Sequence, residues 1–208
     1  MGMRPYVIRQ GDYLSRLAFR FGFKADDVWN ASENEGLRRI RSNPEMLAPG
    51  DVLQIPDTPE RGPSVRIGGN NRYKAEVPKV QVSLHLTDEG RAMANEPYRV
   101  EGLARPITGQ SNGEGRVEFE VPVTSREVMV HLPNRHTSVP VRVGDLDPPN
   151  TESGVLQRLD HLGYYRPNSE SPDEGQNAIR RFQRDRGLPD TGELNEATRN
   201  AIMEAHES

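Results

Sequence analysis

The side chains able to do covalent chemistry are sparse in this chain and fall in no catalytic pattern. Cysteine is absent. That excludes thiolate nucleophiles, thiolate zinc sites and disulfides. Of the five histidines, His85, His131 and His136 lie in one stretch of the chain. None of these forms a helically spaced ligand pair, and no acidic ligands cluster beside them, so solvent-facing imidazoles are expected, with no metal and no cofactor. No His-Glu-x-x-His zinc motif occurs. Acidic pairs such as Asp88-Glu89 and Glu118/Glu120 suit a solvated loop and a strand face. A glycoside hydrolase needs two carboxylates across a deep cleft, and the segment that holds these pairs is too thin to form one. The expectation is a non-catalytic protein with no catalytic residue.

The elements that position these residues follow from composition. The chain has 208 residues, of which 33% are hydrophobic and 28% charged, with 19 Gly and 17 Pro. Such a lean supply of core residues and abundance of turn formers predicts several small domains. The net charge of −4 provides no positive field for nucleic acid. Near the N-terminus the longest apolar run is Tyr6-Val7-Ile8, which is no secretory signal, and no stretch is long enough for a membrane span. The expectation is synthesis in the cytoplasm without a Sec signal, and no membrane partner.

Residues 1–56 read as a β-α-α-β module. Tyr6-Val7-Ile8 is a strand and Gln10-Gly11-Asp12 a turn. Leu14, Leu17, Ala18 and Phe21 have helical spacing, and Gly22 ends that helix. Asp26-Asp27 opens a second helix with Val28, Trp29 and Ala31, where Trp29 is expected in the core. The Arg38–Arg41 cluster reads as a solvated helix face. After turns at Asn43-Pro44 and Pro49-Gly50-Asp51, Val52, Leu53 and Ile55 form a closing strand stopped by Pro56. The motif Tyr6…Gly11-Asp12-x-Leu14-x-x-Leu17-Ala18-x-x-Phe21-Gly22, followed by Leu47-x-Pro49-Gly50-Asp51-x-Leu53-x-Ile55-Pro56, resembles a LysM domain. Tyr13 replaces the family's usual Thr, and the stretch 33–45 is longer than usual. The resemblance implies binding of N-acetylglucosamine polymers in a shallow groove between two loops. By position the groove residues are Gly11, Asp12, Tyr13, Leu14, Asn43, Met46, Leu47, Pro49 and Gly50. Gly11 would allow close backbone approach, and Asp12 would accept a hydrogen bond. Tyr13, Met46 and Leu47 would offer apolar contact. For Asp12 the alternative is a cap on the following helix.

Residues 57–78 read as a linker broken by Gly and Pro, with Val65-Arg66-Ile67 as one edge strand. Residues 79–146 alternate as short strands: Val80, Val82, Leu84 and Leu86; Tyr98 to Val100; Val117, Phe119 and Val121; Val128, Val130 and Leu132; Val139, Val141 and Val143. They predict a small β-sandwich spacer that resembles immunoglobulin-like or transthyretin-like bacterial modules. Residues 147–153, with Asp147-Pro148-Pro149-Asn150, read as a hinge.

Residues 154–208 predict three short helices. Val155, Leu156, Gln157, Leu159, Leu162, Gly163 and Tyr164 come first. Ala178, Ile179, Phe182, Gln183, Gly187, Leu188, Thr191 and Gly192 follow, and then Thr198. This order resembles the peptidoglycan-binding domain type 1, with 169–175 departing from the family's usual turn. The resemblance implies contact with wall sugar or stem peptide, here assigned to Tyr164, Tyr165 and Arg166, with packing under the bundle as the alternative for Tyr164. Gln183 is expected to bond a backbone group.

The fold class is thus multidomain α+β, with a βααβ module, a β-sandwich and a three-helix bundle. The expected function is non-catalytic, bivalent attachment to peptidoglycan or another N-acetylglucosamine-containing glycan. The alternative rests on resemblance to proteins of contractile injection systems, such as type VI secretion and phage tails. It is a structural adaptor that joins a spike, baseplate or effector, delivered to a periplasm or an extracellular particle by that system.

Overall fold

The structure is a computed structural model, and it describes residues 2–58, 68, 76–88 and 91–207. The expected edge strand Val65-Arg66-Ile67 and the carboxylate of Glu89 lie outside the described residues.

The N-terminal module is built from strand β1 (Met3–Val7), helices α1 (Leu14–Phe21), α2 (Ala25–Trp29) and α3 (Glu35–Ile40), and strand β2 (Val52–Pro56). β1 and β2 pair antiparallel, from Met3 opposite Pro56 to Val7 opposite Val52. The spacing of Leu14, Leu17 and Ala18 turns one face of α1 inward. There they meet Ile8, Phe23, Val28, Leu37, Leu47, Leu53 and Ile55, with Trp29 packed against this core at partial exposure. Gly22 closes α1 with φ +69°, a left-handed conformation that glycine takes without Cβ strain. The stretch 33–45 contains α3, the helix on which the Arg38–Arg41 cluster was expected.

The basic cluster on α3 is only in part a solvated face. Arg39 pairs with Glu35 in the open. Arg38 instead donates to the carbonyls of Trp29 and Ala31. Arg41 holds Asp51 through two bonds of 2.8 and 3.0 Å. These two side chains are 10% and 8% exposed. Asp51 also accepts from the Ala48 amide, so the pair fixes the turn before β2.

The middle of the chain forms β3 (Lys79–His85), β4 (Thr87–Asp88), β5 (Arg91–Ala92), β6 (Pro97–Glu101), β7 (Ile107–Gln110), β8 (Arg116–Pro122), β9 (Glu127–Leu132) and β10 (Thr137–Arg142). Four of them make a sheet in the order β10-β9-β6-β7, while β3 pairs with β8 and β4 with β5. The period of two is visible in β8, where Val117, Phe119 and Val121 are buried and Glu118 and Glu120 exposed.

The C-terminal part forms α4 (Glu152–His161), α5 (Glu174–Asp185) and α6 (Glu196–Glu207). Val155, Leu159, Ala178, Ile179, Phe182, Ile202 and Ala205 make its core. Thr151 caps α4 by accepting from the Gly154 amide at 3.0 Å. Gln183 has no exposed surface. Its amide nitrogen donates to the Glu193 carbonyl, Thr191 and Thr198, and its amide oxygen accepts from the Gly192 amide. The expected backbone bond of Gln183 is present, and it ties the Thr191-Gly192 turn to α5.

Two compact units result rather than three separate ones. One comprises the described residues within 1–82, 120–128 and 142–145; the other comprises 83–119, 129–141 and 146–208. The strands of the expected spacer thus divide between them. Nor does 147–153 hang free as a hinge. The Asp147 amide donates to Gln157, and Arg158, 1% exposed, donates to the carbonyls of Asp147 and Gly154. A Cβ on Gly154 would lie 2.1 Å from the Pro148 carbonyl oxygen, so only glycine permits this close approach.

Breaking the Arg41–Asp51 pair leaves a carboxylate without its guanidinium in a largely desolvated place. Arg41→Ala is expected to lower stability by about 3 kcal/mol, read as a reduced midpoint in urea denaturation. A midpoint equal to wild type would show that the pair does not organise this turn.

Candidate functional site

The loop after β1 was expected to offer Gly11, Asp12, Tyr13 and Leu14 to a glycan. Leu14 is 2% exposed and belongs to the module's core. The Asp12 carboxylate accepts from the Tyr6 hydroxyl at 2.8 Å and from the Arg9 amide at 3.1 Å. It neither projects outward nor caps α1, whose first flanking residue is Tyr13 without a side-chain bond. Burial, with the Asp12 bond second, raises the Tyr6 pKa. Tyr13 is 1% exposed, which corrects its assignment as an apolar contact on the surface. Its hydroxyl donates to the Val123 carbonyl at 3.3 Å. A Cβ on Gly144, which has φ +78°, would lie 2.4 Å from the Tyr13 ring.

Arg16 completes this arrangement. Its Nε donates to Val123 O at 2.9 Å and its Nη2 to Val143 O at 3.4 Å. The same guanidinium donates to the carbonyls of Gly11 and Ser125 and lies 4.5 Å from the Tyr13 ring centroid. Gln10 adds a 2.6 Å bond to the Asp145 carbonyl. Arg16 falls outside the apolar spacing of Leu14, Leu17 and Ala18, and nothing local in the sequence distinguishes it from Arg20.

In the second loop, Asn43, Pro49 and Gly50 are exposed and Met46 is half-buried. Leu47 is core at 4% exposure, which corrects its assignment to the groove wall. Asn43 accepts from the Glu45 amide at 2.9 Å. Glu45 accepts from Ser15 at 2.7 Å, and burial raises its pKa.

In the C-terminal helices, Tyr164 and Tyr165 are half-buried against the core and Arg166 is exposed. Tyr164 meets Phe182 edge to face at 5.2 Å between centroids. An open hollow of about 390 Å³ is lined by Gly163, Tyr164, Arg181, Arg184 and Asp185. Burial and then a hydrogen bond with Asp185 raise the Tyr164 pKa. Arg181 is held by the Tyr164 carbonyl at 2.7 Å and by Glu174. Arg184 lies 3.5 Å from Asp190, with its side chain 61% exposed. The hollow thus presents one aromatic edge, an anchored guanidinium and an accessible one. Tyr165 and Arg166 do not line it. The sequence reading missed Arg181, Arg184 and Asp185; their i, i+3, i+4 spacing on one helix face was the available signal.

At the C-terminal ends of α4 and α6, His161 Nδ1 and His206 Nε2 are 3.0 Å apart. The ring planes differ by 25° and the centroids are 5.3 Å apart. This edge-to-edge geometry is that of one N–H···N bond, too short for an ion between collinear ligands at about 2.0 Å each. Burial, then the charges of His161, Arg158 and His85, push His206 down to about 4. Burial also lowers His161, with Asp160 opposing and Arg158 reinforcing. Among the described residues, no group of three or more His, Asp or Glu could hold a metal ion, and no helix is long and apolar enough to cross a membrane.

Residues 155–202 match the family described as "Putative peptidoglycan binding domain". The match covers α5, α4 from Val155 onward and α6 as far as Ile202, and with them the hollow beside Tyr164. No curated protein and no solved structure matches the chain.

The histidine pair predicts a pH dependence. Above pH about 6.5, the ordinary histidine value, neither folded nor unfolded chain is protonated at these sites. Between that value and about 4 for His206, the unfolded chain takes up protons that the folded one refuses. Stability therefore falls as pH drops through this window and levels off below it. Thermal melts from pH 7 to pH 4 should show this decline, and His206→Gln should flatten it; an equal slope in the variant would remove the pair as its source.

Proposed function

We propose that this chain is a non-catalytic peptidoglycan-binding protein whose wall contact centres on the hollow beside Tyr164. The observation that carries this reading is the coincidence of that hollow with the matched segment 155–202. Stem peptides carry carboxylates, and Arg184 offers an accessible guanidinium for them next to an aromatic edge. Arg181, fixed by Glu174 and the Tyr164 carbonyl, shapes the floor.

The finer proposal is bivalency. The N-terminal module has helices α1, α2 and α3 between its two paired strands, one helix more than the expected βααβ order, and the Gly11-Asp12 and Pro49-Gly50-Asp51 turns that resemble LysM; N-acetylglucosamine polymers are its proposed ligand. The strands between read as an immunoglobulin-like or transthyretin-like spacer. Two weak contacts on one chain make the second intramolecular and raise avidity. The second reading is an adaptor in a contractile injection system, delivered by it to a periplasm or an extracellular particle. The burial of Tyr13 against other backbone favours it, because that loop already serves a protein contact.

Co-sedimentation with purified sacculi tests the main reading. Wild type should pellet with sacculi, and binding should weaken as salt rises. Arg184→Glu should bind about tenfold more weakly, in the range of a single interface arginine. A folded wild-type protein that stays in the supernatant would sink wall binding and leave the adaptor reading.

A further inference from the structure

We infer that the segments 122–126 and 143–145 form an intramolecular lid over the loop 10–13, and that this loop reaches a glycan only when the lid is released. This inference rests on the glycan reading of the N-terminal module and says which state of the protein it applies to.

The loop's residues are buried for two different reasons. Leu14 and Leu47 belong to the module's own apolar core, and Asp12 is tied to Tyr6 and Arg9 within the module. Their burial persists whatever the lid does. Tyr13 is not among the residues of that core. Its hydroxyl reaches Val123 and its ring faces Gly144, both on the lid. The lid, not the module, therefore hides the aromatic ring.

The closure is specific. Arg16 bonds three lid carbonyls, those of Val123, Ser125 and Val143, together with the Gly11 carbonyl of the loop. Gln10 adds the Asp145 carbonyl. Gly144 takes a left-handed φ of +78° where any side chain would strike the Tyr13 ring. The contacts named here are polar and directional, and they enclose the Tyr13 ring beside the buried Val123 and Val143 of the lid. Release breaks these directional bonds and exposes that small apolar set, less than a packed core would. The second loop keeps Asn43, Pro49 and Gly50 exposed in the closed state. Half of the expected groove is open and half is closed.

The full chain tests this with an N-acetylglucosamine hexamer as the probe. Arg16→Ala removes the clamp from the module side, and Gly144→Ala wedges the ring from the lid side. Amide hydrogen exchange at 11–17 and 122–126 reads the opening, and calorimetry reads the affinity. Both variants should lose protection at these amides and bind the hexamer about tenfold more tightly, because a closed fraction lowers apparent affinity in proportion. Hexamer-saturated wild type should lose protection at 122–126. If the variants open but gain nothing, while wild type binds equally well, the lid is refuted and the glycan reading stands. If opened variants and wild type all fail to bind, the glycan reading of this module fails, and the lid with it. If both variants unfold, wild type alone decides: full protection at 122–126 with hexamer bound overturns the lid.

Discussion

Arg16 brings a charged group to a place where, among the described residues, it meets backbone carbonyls and one aromatic ring. A guanidinium has five donors in a fixed fork. Here four hydrogen bonds from that fork reach carbonyls of the loop after β1 and of the two strand-end segments. The Val123 carbonyl also accepts from the Tyr13 hydroxyl, and Val123 and Val143 are themselves buried. Leaving such groups unpaired costs about 1–3 kcal/mol each. The side chain thus determines that 122–126 and 143–145 belong to the same compact unit as the N-terminal module. The positive φ of Gly144 and the burial of Tyr13 follow from that closure.

The same physics recurs elsewhere in the molecule. With only 33% hydrophobic residues, no module can rely on a large apolar core. Polar side chains take over the joining of loops to helices. Arg41 and Asp51 fix the turn before β2, and Arg38 satisfies carbonyls at the end of α2. Gln183 gathers the Thr191-Gly192 turn, and Arg158 secures the segment before α4. Each works by satisfying backbone groups that a sparse core would otherwise leave unpaired. This also explains why the arginines divide so sharply. Some are structural clamps, while Arg184 and Arg166 remain exposed.

This division shapes the functional surface. In the C-terminal helices, Tyr164 has its ring edge on Phe182 while its outer part borders an open hollow with two arginines. In the N-terminal module, Tyr13 is turned entirely into a protein contact. Tyr13, just before α1, is thus buried, while Tyr164, just after α4, is half-buried. The difference comes from what lies opposite each ring.

The helices of both ends were legible in the sequence, because Leu14, Leu17 and Ala18, and then Val155, Leu159, Ala178 and Phe182, repeat at the helical period and are buried. The strands 79–143 were legible from their alternation, and the turn at Gln183 from its residue types. Period and turn chemistry are local properties, so a linear sequence carries them. The fate of Arg16 and Tyr13 was not legible. Their partners lie more than a hundred residues away along the chain, and backbone carbonyls leave no signature in side-chain identity. The same holds for Arg158 on Asp147 and for the meeting of His161 with His206. Composition and spacing determined the elements and the absence of cysteine chemistry; only the tertiary structure decided which polar side chains face solvent. That choice depends on which unsatisfied backbone groups the fold brings within reach.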